Sequence, residues 1–330
     1  MKIRWLILFG ALCVGGLAPA TSGQPELAFP VACRVGVSCE IQNYVDRDPG
    51  PKAEDYRCGT RTYDAHNGVD IRILDLAAQR RGVAVVAAAP GKVTRLRDGV
   101  EDISVKSRGA NAVSGQECGN GVVINHGRGW ETQYCHLARN SLRVSRGAEV
   151  RAGQPIALIG LSGNTEYPHL HITVRHNGVV VDPFATGRGC EASGSPRGMW
   201  APEATRQMRY RVGVVLNSGF TTGPPDAAAV EAGDLALPHH ASPSVVAYIR
   251  AIGLSKGDVQ ELTLVGPDGK ILARNQLPGL DRDKAQYLLY AGRKRSGSGW
   301  PSGTFKAEYI LRRNGALVLR HSFQQPLASR

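Results

Sequence analysis

An all-β fold in two domains is predicted for this chain by its abundance of turn residues and by two groups of short strand-like runs. The 330 residues include 40 Gly and 19 Pro, a composition that favours short strands joined by turns over long helices. Hydrophobic residues make up 42%, enough for a packed core in each of two domains. A segment with the composition of a linker, at residues 191–206, separates the two groups of runs.

The first twenty residues have the pattern of an export signal. Lys2 and Arg4 precede an apolar run that ends at Leu17, and Ala18-Pro19-Ala20 is a small-x-small cleavage site. We therefore expect residues 1–20 to be a signal peptide and the mature protein to be periplasmic or secreted, with no stable membrane span. A retained anchor is the alternative, although the apolar run is short for a spanning helix.

Six cysteines remain once Cys13 is removed with that segment, and an even number in an exported protein predicts disulfides. They are Cys33, Cys39, Cys58, Cys118, Cys135 and Cys190. We favour the local pairs Cys33–Cys39 and Cys118–Cys135. Zinc binding by these thiols is the competing interpretation, but no C-x-x-C spacing occurs. Residues 21–60 mix Pro, Gly and Cys and are predicted to be a disulfide-stabilised, loop-rich lead-in.

The first group of strand-like runs lies between residues 61 and 190 and predicts a domain of short strands. The runs are residues 69–73, 83–88, 91–96, 121–125, 131–137, 156–159, 170–174 and 179–181. Gly127-Arg128-Gly129 predicts a hairpin at residues 121–136, and His176-Asn177-Gly178 predicts a turn directly after the run at 170–174. This second turn would fix the register of the strand that carries His169 and His171.

The second group of runs predicts a smaller accessory domain over residues 207–330. The runs are residues 210–216, 245–252, 261–265, 286–291, 304–311 and 316–323. Short strands at this spacing, with turns at Pro267-Asp268-Gly269 and Asn314-Gly315, favour a β-sandwich. The histidines of this domain have no companion at a metal-ligand spacing, so we expect the chemistry to lie in the first domain. Binding of a protein partner is one candidate role for the second domain, whose role the sequence leaves open.

Five residues of the first domain have the side chains that a hydrolytic zinc site needs. Such a site uses three protein ligands and leaves a fourth position open, and His66, Asp70 and His171 meet that count with one Zn²⁺ per chain. Alternate residues of a strand share a face, so His169 and His171 project from one side. The two remaining imidazoles, His136 and His169, suit proton transfer and oxyanion stabilisation. Each motif alone is weak, and an H-x-x-x-D spacing is more often part of an ordinary turn.

Taken in order, these motifs resemble the lysostaphin-type (LytM-like) zinc metalloendopeptidases, which hydrolyse peptidoglycan. The matching stretches, within about residues 60–185, are His66-Asn67-Gly68-Val69-Asp70-Ile71, Ala89-Pro90-Gly91-Lys92-Val93, residues 119–127, Tyr134-Cys135-His136-Leu137, residues 151–157, Gly163-Asn164-Thr165 and Pro168-His169-Leu170-His171. The resemblance implies an open antiparallel β domain with a groove, of the duplicated-hybrid-motif type. It also implies zinc bound by His66, Asp70 and His171, and catalytic roles for His136 and His169.

Two parts of the chain stand apart from this resemblance. Cys135 occupies a position where a small residue such as Ala or Gly is usual in the family, and a disulfide to Cys118 would account for it. The accessory domain has only a general likeness to immunoglobulin-like domains, around residues 299–305.

We therefore expect an exported endopeptidase that hydrolyses amide bonds in peptidoglycan peptide cross-links, by zinc-activated water with histidine acid–base assistance. Two alternatives stay open: a protein that docks on wall or on another hydrolase without cutting, and a metallopeptidase that acts on proteins. The formal charge of +12, which falls to +10 without Lys2 and Arg4, attracts polyanions. Export makes peptidoglycan the expected partner, and no nucleic-acid-binding motif is present.

Overall fold

The described chain is built almost entirely of antiparallel strands, which confirms the all-β prediction. The computed structural model describes residues 23–187, 189–190 and 197–327. The predicted signal peptide at residues 1–20 and the part of the predicted linker at 191–196 lie outside these ranges. Within them, no helix has the length and the apolar character needed to cross a membrane.

Ten strands form the first domain, and eight of them belong to one antiparallel sheet. They are β1 (Cys39–Asn43), β2 (Val69–Ile73), β3 (Ala84–Val86), β4 (Gly91–Arg97), β5 (Asn120–Gly127), β6 (Trp130–Leu137), β7 (Glu149–Val150), β8 (Pro155–Leu158), β9 (His169–His176) and β10 (Val179–Val181). The sheet has the order β1-β2-β9-β6-β5-β4-β7, with β10 also paired to β9, while β3 and β8 pair separately. All eight predicted runs of this domain form strands.

Strand β1 lies in the lead-in, where the sequence predicts loops. Cys39-Glu40-Ile41-Gln42 alternates apolar and polar residues, but this run of four ends at Asn43 and is too short to identify a strand by itself. All five residues are buried, including the three polar ones. The strand forms because β2 offers it a paired edge, with Ile41 opposite Ile71. Its polar side chains are covered by contacts with distant parts of the chain.

The two faces of the sheet differ, and this difference positions the site. Leu170 and Ile172 of β9 point to the apolar side, where they are fully buried opposite Ile71 and Val69 of β2. The residues between them point to the other face, which carries polar side chains from β2, β6 and β9. The apolar face packs in the core of the first domain, and the polar face carries the side chains that can form a functional site.

The helices are short and occupy connections between strands. They are α1 (Leu76–Arg81), α2 (Val105–Arg108), α3 (Pro202–Gln207) and α4 (Ala227–Ala232), with a 3-10 helix at Ala110–Val113. The side chain of Asp75 caps α1 by accepting a hydrogen bond from the Ala78 backbone. Helix α3 falls largely in the predicted linker, and Ala204 within it is buried against the core of the first domain.

The second domain has two sheets that enclose one hydrophobic core. One sheet contains β11 (Val214–Thr221), β12 (Ser244–Leu254) and β15 (Lys284–Lys294), and the other contains β13 (Val259–Val265), β14 (Ile271–Gln276), β16 (Gly303–Arg313) and β17 (Ala316–Leu327). The second β domain therefore follows the first as expected. Strand β14 was not anticipated, because its side chains are all at least partly exposed and show no apolar alternation.

Three disulfides account for all six cysteines outside residues 1–20. Cys33–Cys39 and Cys118–Cys135 are both formed, which confirms the two local pairs favoured from the sequence. The third disulfide joins Cys58 of the lead-in to Cys190, 132 residues further along the chain. It connects the two ends of the first domain.

Candidate metal centre

Three side chains converge on the polar face where β2 meets β9. Asp70 and His171 are direct cross-strand partners, and His66 lies in the turn before β2. Nδ1 of His171 is 2.9 Å from Oδ1 of Asp70. Nε2 of His66 is 3.2 Å from the same oxygen and 3.2 Å from Nδ1 of His171. The three residues expected to bind the metal therefore present their donor atoms to one point, all within 4.8 Å of one another.

When the two rings are neutral, the hydrogen bonds on their outer sides leave these donor atoms without protons. Nδ1 of His66 donates to the carbonyl oxygen of Tyr44 at 2.6 Å, so the lone pair of the neutral ring is on Nε2. Nε2 of His171 donates to Oδ1 of Asn67 at 3.1 Å, which leaves the lone pair on Nδ1. Two imidazole lone pairs and a carboxylate oxygen at this separation repel one another unless a cation lies between them. The donor set therefore fits a divalent metal such as zinc.

The carboxylate of Asp70 is completely enclosed and is oriented by a residue of the lead-in. Nδ2 of Asn43 donates to Oδ2 of Asp70 at 2.8 Å, so Oδ1 is the oxygen that faces the histidines. Burial raises the pKa of Asp70, but the neighbouring His66 and His169 outweigh it and hold the pKa well below its usual value. Asp70 is therefore ionised at neutral pH.

Burial and Asp70 act in opposite directions on the histidines. Burial is the largest influence on the pKa of His66 and lowers it, but Asp70, the Tyr44 carbonyl and Asp46 together raise it more, and the net shift is upward. Burial also lowers the pKa of His171, and the hydrogen bond to Asp70 does not restore it. The pKa of His136 is held well below its usual value, first by burial and then by His169 and His171. A neutral imidazole at His136 can accept a proton at neutral pH.

His136 and His169 lie beside the three candidate ligands. The ring of His136 is centred 4.7 Å from that of His169 and 5.9 Å from that of His171. Nδ1 of His136 donates to the carbonyl oxygen of Ser162 at 2.8 Å, and Nδ1 of His169 donates to that of Tyr167 at 3.0 Å. Nε2 of His136 is therefore left for substrate, whereas Nε2 of His169 lies 3.3 Å from Oδ1 of Asp70, at the edge of the candidate metal centre.

A second set of possible ligands, formed by His136, His169 and His171, also has donor atoms within 4.8 Å of one another. We favour the set that contains Asp70, because its carboxylate supplies the negative charge that helps to balance a divalent cation.

The backbone at His136 departs from regular strand geometry. Its neighbour Cys135 is the cross-strand partner of His171 and shares its face, so a regular strand would place His136 on the opposite, apolar face. Instead, His136 has φ of +61°, a left-handed conformation that is rare outside glycine. This local twist accompanies the placement of the His136 ring on the polar face. Nothing in Tyr134-Cys135-His136-Leu137 indicates the twist in advance.

Sequence reasoning missed the residues that orient these side chains. Two of them, Tyr44 and Ser162, act through backbone carbonyls, which carry no residue-specific signal. Asn43 lies in the lead-in, 23 residues before His66, where the first motif begins. Asn67 was visible as a neighbour of His66, and its position in a turn gave no indication that it accepts from His171.

The convergent side chains line a groove of about 320 Å³ on the surface of the first domain. Its walls include His66, His136 and His171 together with Tyr63, Asn67 and Asn164. The lining is mostly polar, so the groove suits a peptide backbone better than an apolar ligand.

One known sequence family matches the part of the chain that contains this centre. Residues 64–183 match the sequence model of Peptidase family M23, a range that contains His66, Asp70, His136, His169 and His171. This match confirms the family resemblance found in the motifs.

Several curated proteins are similar to parts of the chain. An uncharacterized metalloprotease of Haemophilus influenzae is 31% identical over 147 residues, which are 44% of this chain and 25% of that protein. The murein hydrolase activator EnvC of Escherichia coli is 45% identical over 62 residues, 19% of this chain and 14% of that protein. The DD-carboxypeptidase/endopeptidase Mpg of Neisseria meningitidis serogroup B is 33% identical over 124 residues, 38% of this chain and 23% of that protein. The chain therefore spans a quarter or less of the length of these relatives.

Proposed function

From the premise that residues 64–183 of this chain form a peptidase family M23 domain, we propose that the protein is an exported zinc endopeptidase. It hydrolyses amide bonds in the peptide cross-links of peptidoglycan. The observation that carries this proposal is the meeting of His66, Asp70 and His171 at one point, with His136 and His169 beside them. Similarity to a DD-carboxypeptidase/endopeptidase supports the class of substrate.

The side chains divide the work of hydrolysis. His66, Asp70 and His171 would hold one zinc ion, which when bound polarises the scissile carbonyl and lowers the pKa of water. One imidazole of the pair His136 and His169 is neutral and takes the proton from the attacking water at Nε2. The other, in its doubly protonated form, donates a hydrogen bond from Nε2 to the oxygen on which negative charge develops. Backbone carbonyls fix the orientation of both rings, so little reorganisation is needed when substrate binds.

Three features support an extracellular substrate such as the cell wall. The three disulfides indicate an oxidising compartment, and residues 1–20 have the pattern of an export signal. The net positive charge of the chain favours association with an anionic wall.

The proposal is tested by incubating the mature protein with purified peptidoglycan and identifying the products by mass spectrometry. We expect new amine and carboxyl ends at one type of amide bond. The rate should fall by about 100-fold or more in His171→Ala and after chelation, because several kcal/mol of transition-state stabilisation is removed. Zinc should restore activity to the chelated protein and not to the variant.

A matched control is His239→Ala, which removes an exposed imidazole from the second domain. This variant should cleave at the wild-type rate. Cleavage by His171→Ala at the wild-type rate would reject the proposed centre. Digestion of a glycine-rich protein in preference to wall peptides would reassign the substrate class.

A second candidate function is activation of another wall hydrolase without cleavage. Similarity to the murein hydrolase activator EnvC favours it, although the similarity covers only 62 residues. It predicts that the wild-type protein and His171→Ala bind peptidoglycan equally and that neither releases an amine. The presence of all five side chains of a complete hydrolytic site makes the endopeptidase the better-supported function.

A further inference from the structure

A second groove lies on the same face of the sheet as the candidate metal centre. It has a volume of about 640 Å³ and runs along β4, β5, β6 and β9. Cys118, Gln133 and Arg175 line both this groove and the groove of the metal centre. The two grooves are therefore continuous, and we call the second one the arginine groove because of its charged lining.

Strand register explains why the arginine groove extends the site. His171, Thr173 and Arg175 alternate along β9 and share its polar face. The Cα atoms of His171 and Arg175 should be about 13 Å apart, four residues at the rise of an antiparallel strand. On the neighbouring β6, Gln133 is opposite Thr173 and Glu131 is opposite Arg175. A ligand lying along this face would reach both the metal centre and Arg175.

The charges in the arginine groove do not cancel. Its charged lining residues are Arg95, Arg97, Arg175 and Glu131. Arg95 is paired with Glu131, its Nη2 atom 3.0 Å from Oε2. Arg97 donates from Nε to the carbonyl oxygen of Gly119 at 2.6 Å.

Arg175 makes a neutral contact of the same kind, with Nη1 donating to Oε1 of Gln133 at 2.7 Å. Among the described residues, no ion pair joins a carboxylate to Arg97 or Arg175. Two carboxylates act on them from a greater distance: Arg97 lowers the pKa of the exposed Glu117, and Glu131 raises the pKa of Arg175.

Arg175 is held in a setting that favours an incoming anion. Its side chain is half-buried, and its pKa is lowered by burial and then by the nearby charge of Arg95, with Glu131 acting in the opposite direction. A partly desolvated guanidinium beside another cation gains more from an added anion than one in open water does. Gln133 orients the fork of donors, which can bind both oxygens of a carboxylate.

We propose that Arg175, together with Arg97, forms a carboxylate-binding subsite that selects wall peptides with a free carboxyl group. The carboxylate would lie roughly 13 Å or less from the bond that is cut, within the length of about four extended residues. This inference rests on the proposed function for the identity of the substrate, and it deepens that proposal by naming the chemical group that is recognised. Arg97 and Arg175 are binding residues here and are not part of the metal centre.

The test compares binding of two wall peptides that differ only in whether their carboxyl groups are free or amidated. Binding is measured by calorimetry on chelated protein, so that no turnover is required. We expect the wild-type protein to bind the free-carboxyl peptide about 10-fold more tightly, as a charge-assisted hydrogen-bonded pair would give. Arg175→Gln should remove most of this preference and leave the affinity for the amidated peptide unchanged.

The control is Arg143→Gln, which changes the net charge equally at an exposed residue outside both grooves. It should keep the wild-type preference. Equal binding of the two peptides by the wild-type protein, or a preserved preference in Arg175→Gln, would overturn the subsite. If the preference depends on Arg175 but purified wall is never cleaved, the subsite stands and the endopeptidase proposal fails. If wall is cleaved but the two peptides bind equally, only the subsite fails.

Discussion

At the scale of single residues, one hydrogen bond connects the lead-in to the candidate metal centre. Asn43 ends β1 and donates from Nδ2 to Oδ2 of Asp70. This contact uses the carboxylate oxygen that faces away from His66 and His171. Asp70 is thereby restricted to presenting Oδ1, which is the geometry that a single metal ion requires.

Asn43→Ala should therefore weaken zinc binding without unfolding the protein. We expect the dissociation constant for zinc to rise by about 10- to 100-fold, the usual effect of removing a residue that orients a metal ligand. Competition with a chromophoric chelator measures this affinity, and circular dichroism checks the fold. Asn111→Ala, at an exposed position of the 3-10 helix, is the control. A zinc affinity equal to that of the wild type would show that Asp70 is oriented by other contacts.

At the scale of elements, the lead-in is attached to the first domain at several points. Its strand β1 pairs with β2, and Cys58 is joined to Cys190. Arg47 contributes further contacts, with Nη1 3.0 Å from Oδ2 of Asp182 and hydrogen bonds to the carbonyl oxygens of Ala185, Gly187 and Gly189. A segment held in this way works as part of the fold, and Asn43 is positioned by it.

The two disulfides of the lead-in should contribute unequally to stability. A disulfide removes conformational entropy from the unfolded chain, and it removes more when the loop that it closes is longer. Cys58–Cys190 has a sequence separation of 132 and Cys33–Cys39 of 6. These separations correspond to about 5 and about 2 kcal/mol of unfolding free energy.

The comparison uses Cys58→Ala/Cys190→Ala and Cys33→Ala/Cys39→Ala in urea unfolding experiments. The first variant should lose more of its unfolding free energy than the second, and both should keep the other two disulfides. Equal losses would mean that the disulfides act mainly through local contacts in the folded state rather than through the unfolded chain.

At the scale of the whole molecule, the second domain contacts the strand that carries Asp70. Arg72 lies two residues after Asp70 on β2, fully buried, with its guanidinium carbon 3.9 Å from the centre of the Tyr167 ring. Its Nη2 atom is 2.5 Å from Oε2 of Glu231 in α4, and Nη1 is 3.0 Å from Oε1 of Gln286 in β15. The accessory domain thus supplies partners for a charge inside the first domain.

Glu231 also accepts a hydrogen bond from the buried Arg250, so one carboxylate balances two guanidinium groups. Glu231→Gln should destabilise the protein by about 3–5 kcal/mol, since it leaves two buried cations without a counterion. Thermal and urea unfolding measure the loss. Glu203→Gln, which breaks an exposed pair with Arg206, should change the unfolding free energy by less than about 0.5 kcal/mol. A loss as small as this in Glu231→Gln would mean that the two domains are stable independently of this contact.

The features that could be predicted from the sequence are those that local periodicity and turn residues indicate. The alternation in Pro168-His169-Leu170-His171 identifies a strand with two imidazoles on one face, and β9 has this arrangement. The turn at Asn177-Gly178 places the strand in a hairpin with β10, as the register confirms. Such signals depend on neighbouring residues alone, and for this reason they can be read without the fold.

Contacts between distant residues could not be predicted in this way. The sequence by itself determined which candidate donor side chains the chain offers, the strands that carry most of them and the two local disulfides. Only the tertiary structure decided that Asn43 orients Asp70, that a left-handed backbone at His136 accompanies its ring on the polar face, and that the second domain neutralises Arg72. The physical reason is that periodicity records which face of a strand a side chain occupies. Which strands become neighbours, and where the backbone twists, depends on burial and pairing across the whole chain.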